Sequence, residues 1–169
     1  KSYEELVHPI ISQDGRYLAY TEGYQESSET DVIVRDIVLK TEHRVNGNKQ
    51  YAAIPMFNHQ GTMLALPIWN RDKANPANIA IYSLERNCII KTISSKVECW
   101  RPIFTNDDKK VLYIQKEKFF KIKSFDLATG AISEMLSLPF DIWDIALSPS
   151  GRYIVFAGNK DGNWDLFSY

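Results

Sequence analysis

Ser12-Gln-Asp-Gly-Arg-Tyr-Leu-Ala-Tyr20 is the stretch on which the reading of this chain turns, because it recurs three more times without a gap. The other copies are Asn58-His-Gln-Gly-Thr-Met-Leu-Ala-Leu66, Thr105-Asn-Asp-Asp-Lys-Lys-Val-Leu-Tyr113 and Ser148-Pro-Ser-Gly-Arg-Tyr-Ile-Val-Phe156. Each column has a physical reason. Gly15, Gly61, Asp108 and Gly151 stand where a tight hairpin asks for positive φ, which glycine adopts freely and aspartate tolerates. The small polar residue at the head (Ser12, Asn58, Thr105, Ser148) can hydrogen-bond back onto the turn it opens. The apolar run that follows suits a strand buried on both faces, and small Ala19 and Ala65 let neighbouring sheets approach.

The turn columns recur about every 45 residues, within the blade period of a β-propeller. A short strand precedes each turn, at Pro9 to Ile11, Pro55 to Phe57, Pro102 to Phe104 and Ile145 to Leu147. A third strand follows at Asp31 to Val38, Asn78 to Leu84, Phe119 to Leu127 and Trp164 to Tyr169. A fourth completes the first three repeats, at His43 to Val45, Cys88 to Ile93 and Ala131 to Leu136. No helical period intervenes. The fold predicted is all-β: a β-propeller of four-stranded antiparallel blades, with repeats near 6–47, 51–93, 99–136 and 142–169. An ordinary β-sandwich would not need one motif in every hairpin.

The first and last copies resemble the S-P-D-G-K-x-I-A-F hairpin of TolB-type (WD-repeat-like) propellers. Gly162 to Tyr169 and Phe125-Asp-Leu-Ala-Thr-Gly130 resemble that family's third strand and its following turn. The likeness covers nearly the whole chain. The third repeat departs from it, since Asp107-Asp108 replaces the glycine and makes that turn the more strained of the four. The resemblance implies a non-catalytic protein-interaction module, a scaffold in the periplasm or cell envelope, or a sensor domain of a membrane-anchored transcription regulator. The alternative it implies is the gating propeller of a prolyl-oligopeptidase-like or tricorn-like serine peptidase whose catalytic domain lies outside this sequence.

The fourth repeat ends in its third strand, and the residues before His8 align with a loop rather than an extra strand. The expectation is therefore a partial propeller: either part of a larger ring, within a longer or processed chain, or one member of a homodimer that completes the ring.

Composition narrows the function classes. The 169 residues are 44% hydrophobic and 12% aromatic, with mixed charges summing to −1. That balance argues against an electrostatic grip on nucleic acid or anionic membrane, which needs a basic face, and no apolar run approaches the roughly 20 residues of a membrane span. Cys88 and Cys99 lack metal-site spacing and read as two half-buried strand thiols. There is no G-x-S-x-G, Walker or H-E-x-x-H motif, and His8, His43 and His59 fall at different strand positions. No catalytic residue, metal or cofactor is assigned. Asn159 to Asp165 alternates oxygen side chains but lacks the closing Glu of a calcium loop, so it reads as a hairpin turn.

The resemblance implies a protein partner, with a ligand held at the channel mouth as a further reading, and in propellers the loops entering the first strands mark where either would bind. The position before that strand reads His8, Ile54, Arg101 and Asp144, with Trp100 and Trp143 just ahead of the last two. Trp and Arg are the residues of interface hot spots, although both Trp residues could instead plug gaps between blades. The loops Tyr24 to Thr30 and Trp69 to Asn78 add Trp69, Arg71 and Asp72, beside Pro76. Lys116, Lys118, Lys121 and Lys123 read as a solvated strand edge.

Overall fold

In the computed structural model the structure describes residues 4–24, 29–47, 50–71 and 77–169, which form sixteen β-strands and no helix. The first sheet runs β1 (Glu4–Ile11), β2 (Tyr17–Tyr24), β3 (Thr30–Asp36) and β4 (Thr41–Arg44). In the second, β5 (Gln50–Ala52) and β6 (Met56–Phe57) both pair with β7 (Met63–Asn70), followed by β8 (Asn78–Ser83) and β9 (Cys88–Ile93). The third holds β10 (Cys99–Phe104), β11 (Lys110–Lys116), β12 (Phe120–Asp126) and β13 (Ile132–Leu138). The fourth holds β14 (Asp141–Leu147), β15 (Ile154–Lys160) and β16 (Asn163–Ser168). Every pairing is antiparallel between strands adjacent in the sheet, so each sheet is a meander. The four sheets are arranged as the blades of a β-propeller.

The inner strands are longer than the sequence suggested. β1 begins at Glu4, inside the segment read as a loop, and β10 and β14 each begin three or four residues earlier than expected. Alternation of polar and apolar residues is interrupted there by a bulge, which hides the strand from pattern reading.

The repeated motif folds alike in all four blades. The head residue's amide donates across the turn, from Ser12 to Tyr17 O (2.8 Å), Asn58 to Met63 O (3.1 Å), Thr105 to Lys110 O (2.9 Å) and Ser148 to Tyr153 O (2.9 Å). Its side chain accepts in return: Ser12 Oγ from Tyr17 N–H, Asn58 Oδ1 from Met63 N–H, Thr105 Oγ1 from Lys110 N–H, Ser148 Oγ from Tyr153 N–H. Each head side chain is thus tied into the turn it opens.

Successive turns also touch. A Cβ on Gly61 would lie 3.2 Å from Ser12 Cβ, and one on Gly151 would lie 3.4 Å from Asn106 Nδ2. The Asn106 amide donates to Ser148 O and Pro149 O in the next turn (3.2 and 2.7 Å). The missing glycine of the third repeat belongs to this contact. Asp108 takes the left-handed backbone (φ 55) and its carboxylate accepts from His59 N–H, Gln60 N–H and Asn58 Nδ2–H, all in the second blade's turn. The residue bears the backbone cost and supplies a clamp that glycine could not.

Core packing follows chain order. Ala19, Val32 and Val34 of the first blade meet Leu64, Leu66 and Tyr82 of the second. Ala65, Ile79 and Ile81 meet Val111, Tyr113 and Phe125. Leu112, Ile114 and Ile122 meet Ile142, Ile154 and Phe156. The strand after the turn is buried on both faces only in the middle blades, as β7 and β11 show. In β15 burial alternates strictly, with Ile154 and Phe156 inside and Val155 and Ala157 half-exposed; β2 alternates too, at Leu18 to Tyr20. The expectation of two-sided burial is corrected for the outer blades, which have a neighbour on one side among the described residues.

Cys99 is buried and Cys88 exposed, in place of two half-buried thiols, and both are free. Asp161-Gly162 forms the hairpin between β15 and β16 with φ of 59° and 86°, the two left-handed positions of a type I′ turn.

Asp108→Ala keeps the left-handed cost and deletes the clamp, so urea unfolding is expected to show a loss of about 1–3 kcal/mol. Asp108→Gly relieves the backbone while losing the same bonds and is expected to cost less. Equal midpoints for the two variants would remove the backbone from this account.

Candidate functional site

Where the inner strand approaches the propeller axis its pairing slips. Register breaks fall between Val7 and Ile10 in β1, Trp100 and Ile103 in β10, and Ile142 and Asp144 in β14; in the second blade the strand divides into β5 and β6. At three of these breaks the residue has positive φ: His8 (52°), Ile54 (48°) and Arg101 (49°). Each is followed by a proline, Pro9, Pro55 or Pro102. Proline has no N–H to give a ladder and suits its interruption. Asp144, followed by Ile145, has the slip without the positive φ. A β-branched residue is strained in this region, and Ile54 is held there by its amide, which donates to buried Thr21 Oγ1 of the first blade (3.0 Å).

A bulge re-aims the side chains it carries, and here those of three blades meet. Arg101 Nε lies 3.7 Å from Asp144 Oδ1, and its guanidinium sits 5.7 Å from the centre of the Trp143 ring. His8 belongs to the same cluster. Its pKa is pushed below the ordinary 6.5 by desolvation first and by the Arg101 charge second, with Asp144 opposing both. Three blades thus bring His8, Arg101 and Asp144 within electrostatic reach.

Beside them opens a cavity of about 480 Å³, lined by all four tryptophans of the chain, Trp69, Trp100, Trp143 and Trp164. Its walls are mostly apolar, with Arg101 and Lys116 set against Glu98 and Asp141. Trp100 stands edge-on to Phe120 (5.8 Å between centroids) and packs against the core between third and fourth blades. Trp143 is 60% exposed. Of the two tryptophans that bracket Arg101 and Asp144, one therefore fills a gap between blades and the other does not.

Trp164 was missed as a lining residue, because in sequence it reads only as the start of a third strand. Its signal was the tight Asp161-Gly162 turn, which returns β16 to the same end of the blade as Trp143. Arg71 is placed differently from Trp69. Its Nη2 lies 3.4 Å from Asp31 Oδ1 and its guanidinium covers the Tyr51 ring at 4.4 Å, so it ties the second blade to the first. Asp31 also pairs with Arg44 (3.1 Å) and accepts from Asn46 Nδ2–H (2.6 Å). Asp72, Pro76 and residues 25–28 of the other loop lie outside the described residues.

The remaining candidates disperse. His43 stacks on Tyr82 between first and second blades, where burial lowers its pKa, and His59 sits 3.4 Å from Asp108 at the turns. Lys121 and Lys123 pair with Glu117, and Lys121 also with Glu134. Among the described residues no three His, Cys, Asp or Glu side chains are grouped to hold a metal. Cavities of about 510 and 490 Å³ open between the turns of the third and fourth, and first and second, blades. Their recurrence makes them a product of blade stacking.

No protein-family model matches the sequence, and no curated protein matches it. Solved structures do. TolB from Acinetobacter baumannii superposes with a TM-score of 0.74 at 16% identity, over 98% of this chain and 41% of that one. A putative TolB from Agrobacterium tumefaciens gives 0.76 at 17% identity, over 99% and 58%. A puromycin-hydrolyzing peptidase from Mycobacterium tuberculosis gives 0.76 at 13% identity, over 98% and 30%. The β-propeller domain of the Trilobed protease from Pyrococcus furiosus, described as having an open velcro topology, gives 0.70 at 17%, over 97% and 53%. These likenesses establish the propeller fold, and this chain spans less than three fifths of each of these structures.

An NMR titration of His8 is expected to give a pKa below 6.5. Arg101→Gln should raise it and Asp144→Asn should lower it further. Because the unfolded chain takes up the proton first, His8 and His43 both make stability fall as pH drops through about 6.5 toward their native values. An unchanged His8 titration in Arg101→Gln would separate the two residues.

Proposed function

We propose that this chain is a non-catalytic, TolB-like propeller module that recognises a protein partner at the tryptophan-lined channel mouth, in the cell envelope. The observation that carries this reading is the convergence of Trp69, Trp100, Trp143 and Trp164 on one cavity beside Arg101. Large aromatic rings offer apolar area at low entropic cost, and a guanidinium held over a ring is already oriented for contact. A concave, mainly apolar wall with a few charged groups at its margin is the usual make-up of a binding site.

The peptidase relatives favour a second reading, in which the same propeller gates access to a hydrolase domain. Both readings give this segment recognition, and the second assigns bond cleavage to a separate domain. They part on what adjoins it: a G-x-S-x-G hydrolase domain in the complete reading frame would favour the gate.

Peptides selected from a random library against this chain are expected to quench or shift its tryptophan emission, since every fluorophore of that kind lines the cavity. Trp143→Ala and Arg101→Ala should each weaken such a peptide by about 10-fold or more in calorimetry. Ile90→Ala, on the outer strand β9, should leave it unchanged. Unchanged affinity in the first two would take the channel mouth out of the reading, and turnover of a peptide by the isolated chain would overturn the non-catalytic assignment.

A further inference from the structure

Arg101 is carried by the third blade, which is packed on both sides, and its side chain is only 16% exposed. A guanidinium withdrawn that far from water ordinarily fills its five N–H donors. This one does not. Its nearest anion, Asp144 Oδ1, stands 3.7 Å from Nε, beyond hydrogen-bond length, and that oxygen already accepts from Ile145 N–H at 2.9 Å. The other neighbour is the Trp143 ring, and among the described residues the guanidinium donates no hydrogen bond. Lys116, Glu98 and Asp141 line the same cavity but are exposed, so water satisfies them. The unmet demand in this wall is for an anion with two oxygens, the shape that a guanidinium fork matches.

The setting of Arg101 says what that anion is attached to. Rings come from the blade on either side of it: Trp69 from the second, Trp143 and Trp164 from the fourth. The last two are 60% and 52% exposed. A cavity of about 480 Å³ has room for a few side chains and not for a folded surface. An extended segment sends alternate side chains to one side. A carboxylate in the middle of three such positions therefore has an apolar neighbour for each flanking set of rings. A chain terminus would supply only one flank.

We propose that the mouth takes an extended partner segment whose Asp or Glu seats on Arg101, with a large apolar side chain two residues away on each side. This rests on the mouth being the recognition site, and it adds the chemistry of the partner. Binding fills the Arg101 donors with a charge-assisted pair inside a mostly apolar wall, where such a pair is stronger than on an open surface. A neutral amide at the same position leaves the guanidinium without its anion. Rejection of Gln in favour of Glu is the signature of the arrangement.

The probe is the capped peptide acetyl-Gly-Phe-Ser-Glu-Ser-Phe-Gly-amide, beside a twin with Gln in place of Glu. Each is titrated into the chain and followed by the indole NMR signals and by calorimetry. The Glu peptide is expected to bind about 10-fold or more tighter than its twin. In Arg101→Gln that ratio should fall to near one, whereas Trp143→Ala should weaken both peptides and keep the ratio. Arg101→Lys, which keeps the charge and loses the fork, should recover part of it. Wild-type circular dichroism and a cooperative melt establish that each variant is folded, and the comparison of the two peptides on the wild-type chain needs no variant. Equal binding of both peptides, each weakened by Trp143→Ala, overturns the carboxylate assignment and leaves the mouth as a recognition site. A ratio that survives Arg101→Gln overturns the assignment to Arg101. Binding of neither peptide also overturns the proposal, and the peptides selected from a random library then report on the mouth independently.

Discussion

A single blade of this protein cannot bury itself. Each sheet is three to five short strands with apolar side chains on both faces, and a meander of that size is marginal in water on its own. Face-to-face stacking supplies what the sheet lacks, and the whole architecture follows from it. The small residues Ala19 and Ala65 let the sheets close together, and Leu64, Leu66 and Tyr113 fill the space between. The middle blades satisfy the constraint on both sides. The outer blades satisfy it on one, and the alternation of burial along β15 records that directly.

Stacking alone would leave the blades free to slide. Two further sets of contacts fix them, one at each end of the strands. At the turns, Asn106 and Asp108 reach across to the backbone of adjoining blades, and Gly61 allows close approach to Ser12. At the axis, the amide of Ile54 is held by Thr21, and Arg101 lies between Asp144 and Trp143. The same bulges carry Arg101, which lines the cavity, and His8 near it, so the proposed working face is built by the device that sets blade geometry. A left-handed Ile54 is the local strain this requires.

The fold was legible because its determinants are local. The head oxygen of Ser12 bonds five residues away and Gly15 answers to its own φ, so nine residues contain the instruction for a hairpin. What could not be read depends on neighbours in space. Asp108 appears in sequence as a lost glycine, and its compensation lies 48 to 50 residues away in the second blade. Arg71 reads as a loop residue on an open face, yet its partners Asp31 and Tyr51 sit at the first-to-second blade boundary. Trp164 belongs to a third-strand motif that says nothing of a cavity, and its place there follows only from the path of β16. The inner strands were clipped because a bulge shifts side-chain alternation by one residue. The X-Pro dipeptides His8-Pro9, Ile54-Pro55 and Arg101-Pro102 were in view and were its one repeated trace.

The meander path has a consequence for how the chain acquires its shape. Every sheet pairing joins strands close in sequence, and each blade packs on the one made just before it. Contacts of short sequence separation form early, because little loop entropy is lost in closing them. During synthesis a lone blade stays marginal until its neighbour has emerged, and the stacked pair then offers a ready surface to each later blade. Growth by accretion of this kind needs no distant segment to be found, and it leaves a freshly exposed apolar side at every stage until the next unit covers it.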